Sequence, residues 1–542
     1  MTSEQGRMRP TVRNPRTLES IASAFTLVSD PSAADVEVTG LAVGSADVLP
    51  GDLFVALTGL TSHGARYVAA AVESGAVAVL TDPAGARIVE QAAADGGPDL
   101  PVLVLPDAAD ARRTLGALSA WFYDDPAERL LTVGVTGTNG KTTTTYLVDA
   151  ALRQMHGTTA VVGTIELRIG DRSIESPRTT VEAPVLHGIL DLALEEGTTA
   201  LTMEVSSHAL ALQRVAGMRF DVVAFTNLQR DHLDFHGDME GYYRDKARLF
   251  SPELAARGVV CVDDEWGARL AREATIRVDT LSTRPGTPAS ATADWRVTSA
   301  TVGLDGVGST FVLEGPDGQS VTGRSPLPGE VNVSNAALAL VVAARAGVPL
   351  EDAAQGVAVA AAVPGRMERV VEREDGGPLV LVDYAHTPDA LELALSGVRA
   401  ITPGRLVIVF GSDGDRDTGK RPIMGEIAAR LADVLVVTDE NPRSEAPESI
   451  RAAILEGVRT VRPDLDRVHE VAPRSAAVAY GVSLAGDGDT VIVTGKGHEP
   501  TQEVAGVFHR YNDRDAVRDA WATRAGAVAG ASGTQRETER DE

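Results

Sequence analysis

The stretch VTGTNGKTTTTYLVDAAL, Val135–Leu152, decides the fold. Its centre, GTNGKTT over Gly137–Thr143, alternates small residues with one lysine. Such a loop lets backbone N–H groups converge on phosphate oxygens. Lys141 is placed to reach the outer phosphates, and the Thr142 hydroxyl suits Mg²⁺. The apolar run LLTVGVTG before it reads as a buried strand, and the residues after it read as a helix. Strand, glycine-rich turn and helix in this order form the phosphate-loop unit of an α/β domain. The loop alone leaves an ATPase, a kinase and an ATP-driven ligase open.

Working outward, the chain of 542 residues is too long for one core and suggests several domains. Residues 1–127 carry short apolar strands, GDLFVAL, AVAVL and PVLVL, separated by alanine-rich helical pieces that stop at glycine. The first 17 residues are expected to be a flexible arm. Residues 128–364 hold the phosphate loop, further strands, and a glycine-rich stretch of β character over 270–330. Residues 365–542 carry four apolar strands, LVLVDYAH, RLVIVFG, VLVVTDE and TVIVTGKG, each running into polar or glycine-rich residues. That pattern predicts a mostly parallel, Rossmann-like sheet with ligand groups beyond the strands' C-terminal ends. The tail over 529–542 lacks a packing face and is expected to be disordered.

Composition narrows the class. The formal charge of −26 disfavours nucleic acid as a partner, and no apolar run is long enough to span a membrane. The single cysteine, Cys261, excludes an intrachain disulfide framework, and the N-terminus lacks the apolar centre of a signal peptide. A cytoplasmic protein is expected.

Two further stretches carry chemistry. Glu204 closes the apolar run LTMEVSSH, where ligands gather at a sheet's end. In FTNLQRDHLDFHGDMEGYYRDKARLF, His232 and His236 share a face if the segment is helical, although Gly237 interrupts it. The crowded carboxylates read either as a salt-bridged surface loop or as a hard-cation site beside a nucleotide. With no cysteine or third clear histidine, HLDFH is weak evidence for zinc. Lys246 reads locally as a surface amine, and Asn332 as a helix cap. Ser206-Ser207-His208 lacks the surroundings of a nucleophile elbow and reads as pocket lining.

GTNGKTT, EVSSH, the DHLDFHG segment, NVSNA, PGRME, DYAHTPDAL, GSDGDRDTGKRPIM and TGKGHE occur in one order. Together they resemble the Mur ligase family of peptidoglycan synthesis, over nearly the whole chain. The resemblance implies three α/β domains: one for a UDP-linked substrate, a central P-loop domain for ATP, and a C-terminal domain for an amino acid. It implies that ATP converts a carboxylate to an acyl phosphate, which an incoming amine attacks. It assigns Gly137, Thr138, Asn139, Gly140, Lys141, Thr142, Thr143, Asn335, Arg366, Asp383 and His386 to ATP and domain closure. Thr142, Glu204, His232 and a Lys246 carbamylated by CO₂ are assigned to Mg²⁺, with Lys141, Glu204, His232 and Lys246 as the catalytic set.

TDENPRSE resembles the pocket motif of the family branch that adds the third stem-peptide residue. A DNPR turn marks its pocket for meso-diaminopimelate; this chain has Glu440 at the aspartate position, followed by Asn441, Pro442 and Arg443. A guanidinium is a bidentate match for a carboxylate. Arg416, Gly495 and Glu499 match other contacts, with Arg416 and Arg443 for carboxylates and Glu440 and Glu499 for ammonium. The other substrate implied is UDP-N-acetylmuramoyl-L-alanyl-D-glutamate, held by Ser45, Thr61, His63, Gly64, Thr179, Thr180, Ser206 and Arg214. The family's DSR is replaced here by Gly44, Ser45 and Ala46. Lysine, LL-diaminopimelate or ornithine as the amine, or a nucleotide-binding scaffold without ligation, are the alternatives. A monomer is expected.

Overall fold

The computed structural model describes residues 8–12, 14–59, 62–105, 110–303, 308–374 and 377–524. Thr61 and the tail over 529–542 lie outside them. The chain divides into two compact units, Met1–Leu281 with Leu338–Ala353, and Ser282–Ala337 with Ala354–Glu542.

The first unit holds two main sheets. One is parallel, in the order Gly40–Ala42, Asp52–Ala56, Ala78–Thr81, Val102–Val104. Helices Val68–Glu73, Pro83–Ala94 and Ala111–Phe122 connect or follow its strands, and Leu53, Val55, Leu80 and Leu103 form its core with Leu115 and Leu118. The expected free arm is corrected over its described part: Met8 is buried, Arg9 pairs with Asp52 at 2.7 Å, and the Thr11 and Val12 amides both donate to Glu195. Five hydrogen bonds to three separate elements hold this stretch down where composition alone showed only a basic, polar segment.

The second sheet of this unit carries the phosphate loop. Its strands run Thr159–Val162, Ala200–Glu204, Leu131–Thr136, Phe220–Phe225, Ala255–Cys261, Arg277–Ser282, with neighbours parallel. A hairpin, Glu166–Ile169 with Arg172–Glu175, extends one edge antiparallel. The central strand Leu131–Thr136 is buried almost throughout, which is why its sequence is a continuous apolar run rather than an alternating one. The loop leaves this strand at its C-terminal end, flanked by the ends of Ala200–Glu204 and Phe220–Phe225. This is where an open α/β sheet gathers ligands.

In the second unit, Trp295–Val302, Ser309–Glu314 and Ser320–Ser325 supply strands within the stretch of expected β character and pair antiparallel. A six-stranded sheet runs Glu368–Val371, Leu379–Asp383, Thr490–Thr494, Leu406–Phe410, Val434–Val437, Val468–Glu470. It is parallel except at Glu368–Val371. The four predicted strands are its centre, and buried Val, Leu and Ile side chains pack both faces beneath helices Pro388–Ala400, Lys420–Leu431, Pro447–Val461 and Arg474–Leu484.

Candidate active site

The phosphate loop is shaped by two left-handed glycines. Gly137 has φ +142°, and a Cβ there would lie 1.8 Å from Thr226 Oγ1, so only glycine fits. Gly140, at φ +85°, precedes the helix Lys141–Leu152 and presents its N-terminus to the loop. Thr138 accepts the Gln229 amide at 2.9 Å, and Asn139 donates Nδ2 to Gln229 Oε1 at 2.6 Å. Lys141 Nζ lies over the loop, 3.1 Å from Gly137 O and 2.8 Å from Thr138 O. Thr143 is buried in the helix's first turn.

Thr142 Oγ1 donates to Glu204 Oε2 at 3.0 Å. Glu204 is buried, and it also accepts the Thr164 amide at 2.7 Å and the Thr164 hydroxyl at 3.0 Å. A buried carboxylate beside a loop hydroxyl is a donor set of oxygens, the kind Mg²⁺ takes. Thr164 carried no sequence signal; it reaches Glu204 only because two strand ends meet.

Lys246 is not the surface amine of the local reading. It is 1% exposed, donates to Gly137 O at 2.7 Å, and stands 4.6 Å over the Tyr242 ring. Burial, followed by the nearby Lys141 charge, holds its pKa well below the ordinary lysine range. The two histidines also separate. His232 has φ +51° and precedes the short helix Leu233–His236, so the pair does not share a helical face. His232 remains half exposed, with its pKa lowered by burial. His236 turns inward, with Nδ1 2.7 Å from Asp245 Oδ2 and Nε2 2.9 Å from Ser207 Oγ. Among the described residues, no three or more His, Cys, Asp or Glu side chains converge as a metal cluster.

Lys141, Thr179, Thr180, Ser206, Arg214, His232 and Lys246 line one cavity of about 180 Å³. Thr180 Oγ1 donates to Glu204 O at 2.8 Å and accepts the Ser206 amide at 3.1 Å, tying the two sides together. With its proton given to Glu204, Thr164 Oγ1 lies 3.1 Å from Thr179 Oγ1, placed to accept from that hydroxyl. Arg214 Nε lies 2.8 Å from Glu182, which also meets Arg178 at 2.9 Å and Arg112 at 3.4 Å. Three guanidinium groups against one carboxylate leave a net positive wall, suited to an anionic substrate. Elsewhere in this unit Ser45 opens a 3₁₀ turn, while His63 and Gly64 sit together: His63 Nε2 lies 3.2 Å from Asp82, and the Gly64 amide donates to Leu57 O at 2.9 Å.

In the second unit, Asn332 and Asn335 lie within the helix Glu330–Arg345. Asn332 is not an N-cap: its Nδ2 donates back to Pro328 O at 2.8 Å, and its Oδ1 accepts Asn335 Nδ2 at 3.2 Å. Asp383 is buried and accepts the Met367 and Ala385 amides at 2.7 and 2.9 Å. The Arg366 guanidinium stacks 4.1 Å over Tyr384, and His386 Nδ1 lies 2.8 Å from Tyr384 O.

The ENPR turn follows the strand Val434–Val437. Asn441 Nδ2 donates to Glu499 Oε2 at 3.0 Å, and Lys496 Nζ bridges Asn441 Oδ1 and Glu499 Oε2, each at 2.8 Å. Glu499 therefore already has a cationic partner. Lys496 is fully buried; it lies between Gly495 and Glu499 in the TGKGHE motif, where its residue type alone gives no sign of a buried role. Glu440 is also buried, and Gly495 is required beside it, since a Cβ there would lie 2.6 Å from Glu440 Oε2. Arg443 sits 3.3 Å from Glu503, whereas Arg416 is exposed.

Three family profiles match the chain in order: "Mur ligase family, catalytic domain" over residues 37–123, "Mur ligase middle domain" over 135–343, and "Mur ligase, glutamate ligase domain" over 365–497. The chain belongs to the Mur ligase family and has its three-domain α/β architecture. It is 48% identical over 488 residues to the UDP-N-acetylmuramoyl-L-alanyl-D-glutamate–2,6-diaminopimelate ligase of Streptomyces coelicolor, covering 89% of this chain and 92% of that one. The UDP-N-acetylmuramyl-tripeptide synthetase of Leifsonia xyli is 45% identical, with 94% and 97% covered. A solved structure of a UDP-N-acetylmuramoyl-L-alanyl-D-glutamate–2,6-diaminopimelate ligase matches with a TM-score of 0.63 and 32% identity, covering 94% of this chain and 100% of that chain.

Proposed function

We propose that the chain joins meso-2,6-diaminopimelate to the D-glutamate of UDP-N-acetylmuramoyl-L-alanyl-D-glutamate, using ATP and releasing ADP and phosphate, in cytoplasmic peptidoglycan synthesis. The observation that carries this is the single cavity in which Lys141, Thr179, Thr180, Ser206, Arg214, His232 and Lys246 meet, with Thr142 bonded to Glu204 at 3.0 Å.

A carboxylate is a poor electrophile because it must expel oxide; phosphorylation gives it a good leaving group. The loop amides and Lys141 hold the ATP phosphates, with Asn335 at the adenine. Thr179, Thr180, Ser206 and Arg214 orient the substrate carboxylate toward them, so approach of two anions is offset by fixed positive groups. Ser45, Thr61, His63 and Gly64 hold the uridine end. Thr142, Glu204 and His232 would hold Mg²⁺, which supplies charge neutralisation on the transferring phosphoryl group. The Lys246 environment favours carbamylation: an amine kept below its ordinary pKa by burial is the neutral nucleophile that attacks CO₂, losing a proton to leave a carbamate, an anion suited to the same metal. Arg366, Asp383 and His386 shape the nucleotide side of the C-terminal domain. Arg416 and Arg443 read the distal carboxylate of the amine substrate, beside Glu440, Asn441, Gly495 and Glu499.

The test is phosphate release with ATP, Mg²⁺ and the UDP-dipeptide, comparing meso-diaminopimelate, LL-diaminopimelate, L-lysine and D-alanyl-D-alanine and checking product mass. Tripeptide product with meso-diaminopimelate alone supports reaction and pocket together. Product with another amine overturns the amine assignment, and no product with any overturns the reaction.

A further inference from the structure

Two loops run side by side at the ends of Leu406–Phe410 and Val434–Val437. The Gly414 amide donates to Asn441 O at 2.8 Å, and a Cβ at Gly414 would lie 1.9 Å from Pro442 O. This contact sets Asp413 against the ENPR turn. Asp413 Oδ1 and Glu440 Oε2 are both buried and accept no hydrogen bond among the described residues. Two buried carboxyl oxygens left without donors, on loops that also carry a guanidinium, call for a cationic donor.

Arg443 is fixed beside them by its backbone. It has φ +54°, a conformation costly for a residue with a side chain. Both of its backbone groups are pinned to the strand Thr501–Val504 and the turn after it: its N–H donates to Glu503 O at 3.0 Å, and its C=O accepts the Ala505 amide at 2.6 Å. The guanidinium lies 3.3 Å from Glu503 Oε2 and 3.8 Å from Asp413 Oδ2. The cation that reads a carboxylate is thus aimed by one acid and bordered by another.

The geometry points to Asp413 as a specificity-determining residue: with Glu440 it receives the distal ammonium of the amine substrate, while Glu503 positions Arg443 for the distal carboxylate. This rests on the diaminopimelate reading above and adds to it a second acid for the ammonium and a positioning residue for the guanidinium. Glu440 alone faces Gly495 in a tight contact, and Glu499 is taken by Lys496 and Asn441. Asp413 supplies the missing acceptor from the opposite loop.

The experiment compares meso-diaminopimelate with L-2-aminopimelate, which keeps the distal carboxylate and lacks the distal amine. Kinetics are measured in the wild-type enzyme, Asp413→Asn, Asp413→Ser and Glu503→Gln, with thermal melts to verify folding. In Asp413→Asn the preference for meso-diaminopimelate falls by roughly 10- to 100-fold, the worth of a hydrogen-bonded charge. The loss lies in the KM for that amine, while the KM for ATP holds. Asp413→Ser reports the same ratio if the asparagine variant does not fold. Glu503→Gln raises the KM for both amines, because both present the carboxylate. A preference within about 2-fold of wild type in a folded Asp413 variant overturns the assignment while leaving the ligase reading intact. A wild-type enzyme that makes no product with any amine overturns both.

Discussion

Arg474 offers the sharpest test of how the fold supports the amine pocket. Its side chain is fully buried and makes four hydrogen bonds: Nε and Nη2 meet Asp513 at 2.8 and 2.7 Å, Nη1 meets Asp439 O at 3.1 Å, and Nη2 meets Thr494 O at 2.8 Å. Those two carbonyls lie at the ends of the strands that lead into the ENPR turn and the TGKGHE loop. Replacing Arg474 with methionine keeps much of the volume but strands the Asp513 carboxylate, to which Tyr511 still donates at 3.0 Å. Breaking one side of a buried pair costs about 3–5 kcal/mol. At about 2–4 °C per kcal/mol for a unit of this size, R474M should melt roughly 6–20 °C lower. Replacing both partners, R474M with D513L, should recover part of the loss, because no lone charge then remains. Where R474M folds at low temperature, the KM for the amine should rise more than that for ATP. The assay is thermal unfolding alongside steady-state kinetics at one temperature below both transitions. An R474M protein melting within about 2 °C of wild type would refute the reasoning, since no buried charge could then have been stranded.

Two further outcomes are expected. Burial, reinforced by Asp413, pushes the Glu440 carboxyl up to about 8 from an ordinary 4.5, so the folded state holds a proton that the unfolded chain releases between these values. Its contribution is fully present below pH 4.5 and is lost as pH rises through 8. E440Q should therefore gain on wild type in the free energy of urea unfolding as pH rises across that window, by at most ~1.4 kcal/mol per pH unit, and a pH-independent difference would refute it. K246A should lower turnover by roughly 100-fold or more, with partial recovery in added formate or acetate, and undiminished phosphate release would remove Lys246 from the reaction.

Much of the fold was legible because its central strands are buried on both faces. LVLVDYAH, RLVIVFG and VLVVTDE open on unbroken apolar runs and LLTVGVTG on a nearly apolar one, and each ends in the polar or glycine residues that become the site. Local order also fixed the phosphate loop, whose parts lie within ten residues. The helical pairing of His232 and His236 failed for a local reason: His232 adopts φ +51°, which sends one ring toward the cavity and the other toward Ser207 and Asp245. Periodicity cannot foresee a single left-handed residue. Asn332 failed as a cap because its helix begins earlier, at Glu330, leaving the amide inside the first turn to bond back to Pro328.

What local reading could not supply is the partner of each charge. Glu182, just before the helix Ala183–Glu195, meets three arginines from separate segments, a convergence that no local stretch of sequence displays. Lys246 sat in a run of charged helix residues, yet it is buried against a carbonyl 109 positions earlier in the chain. In both cases the residue type was visible, and its chemistry was set by the neighbours that the topology delivers. A surface lysine keeps its proton; the same side chain between Gly137 O and the Tyr242 ring, near Lys141, is driven toward the free amine. The same holds for Glu440, whose carboxyl is pushed up first by burial and then by Asp413 on another loop. The family motif records which residues meet in this enzyme class, but the sheet explains why they behave differently once they have met: parallel strands bring like charges to one edge and exclude the water that would have screened them.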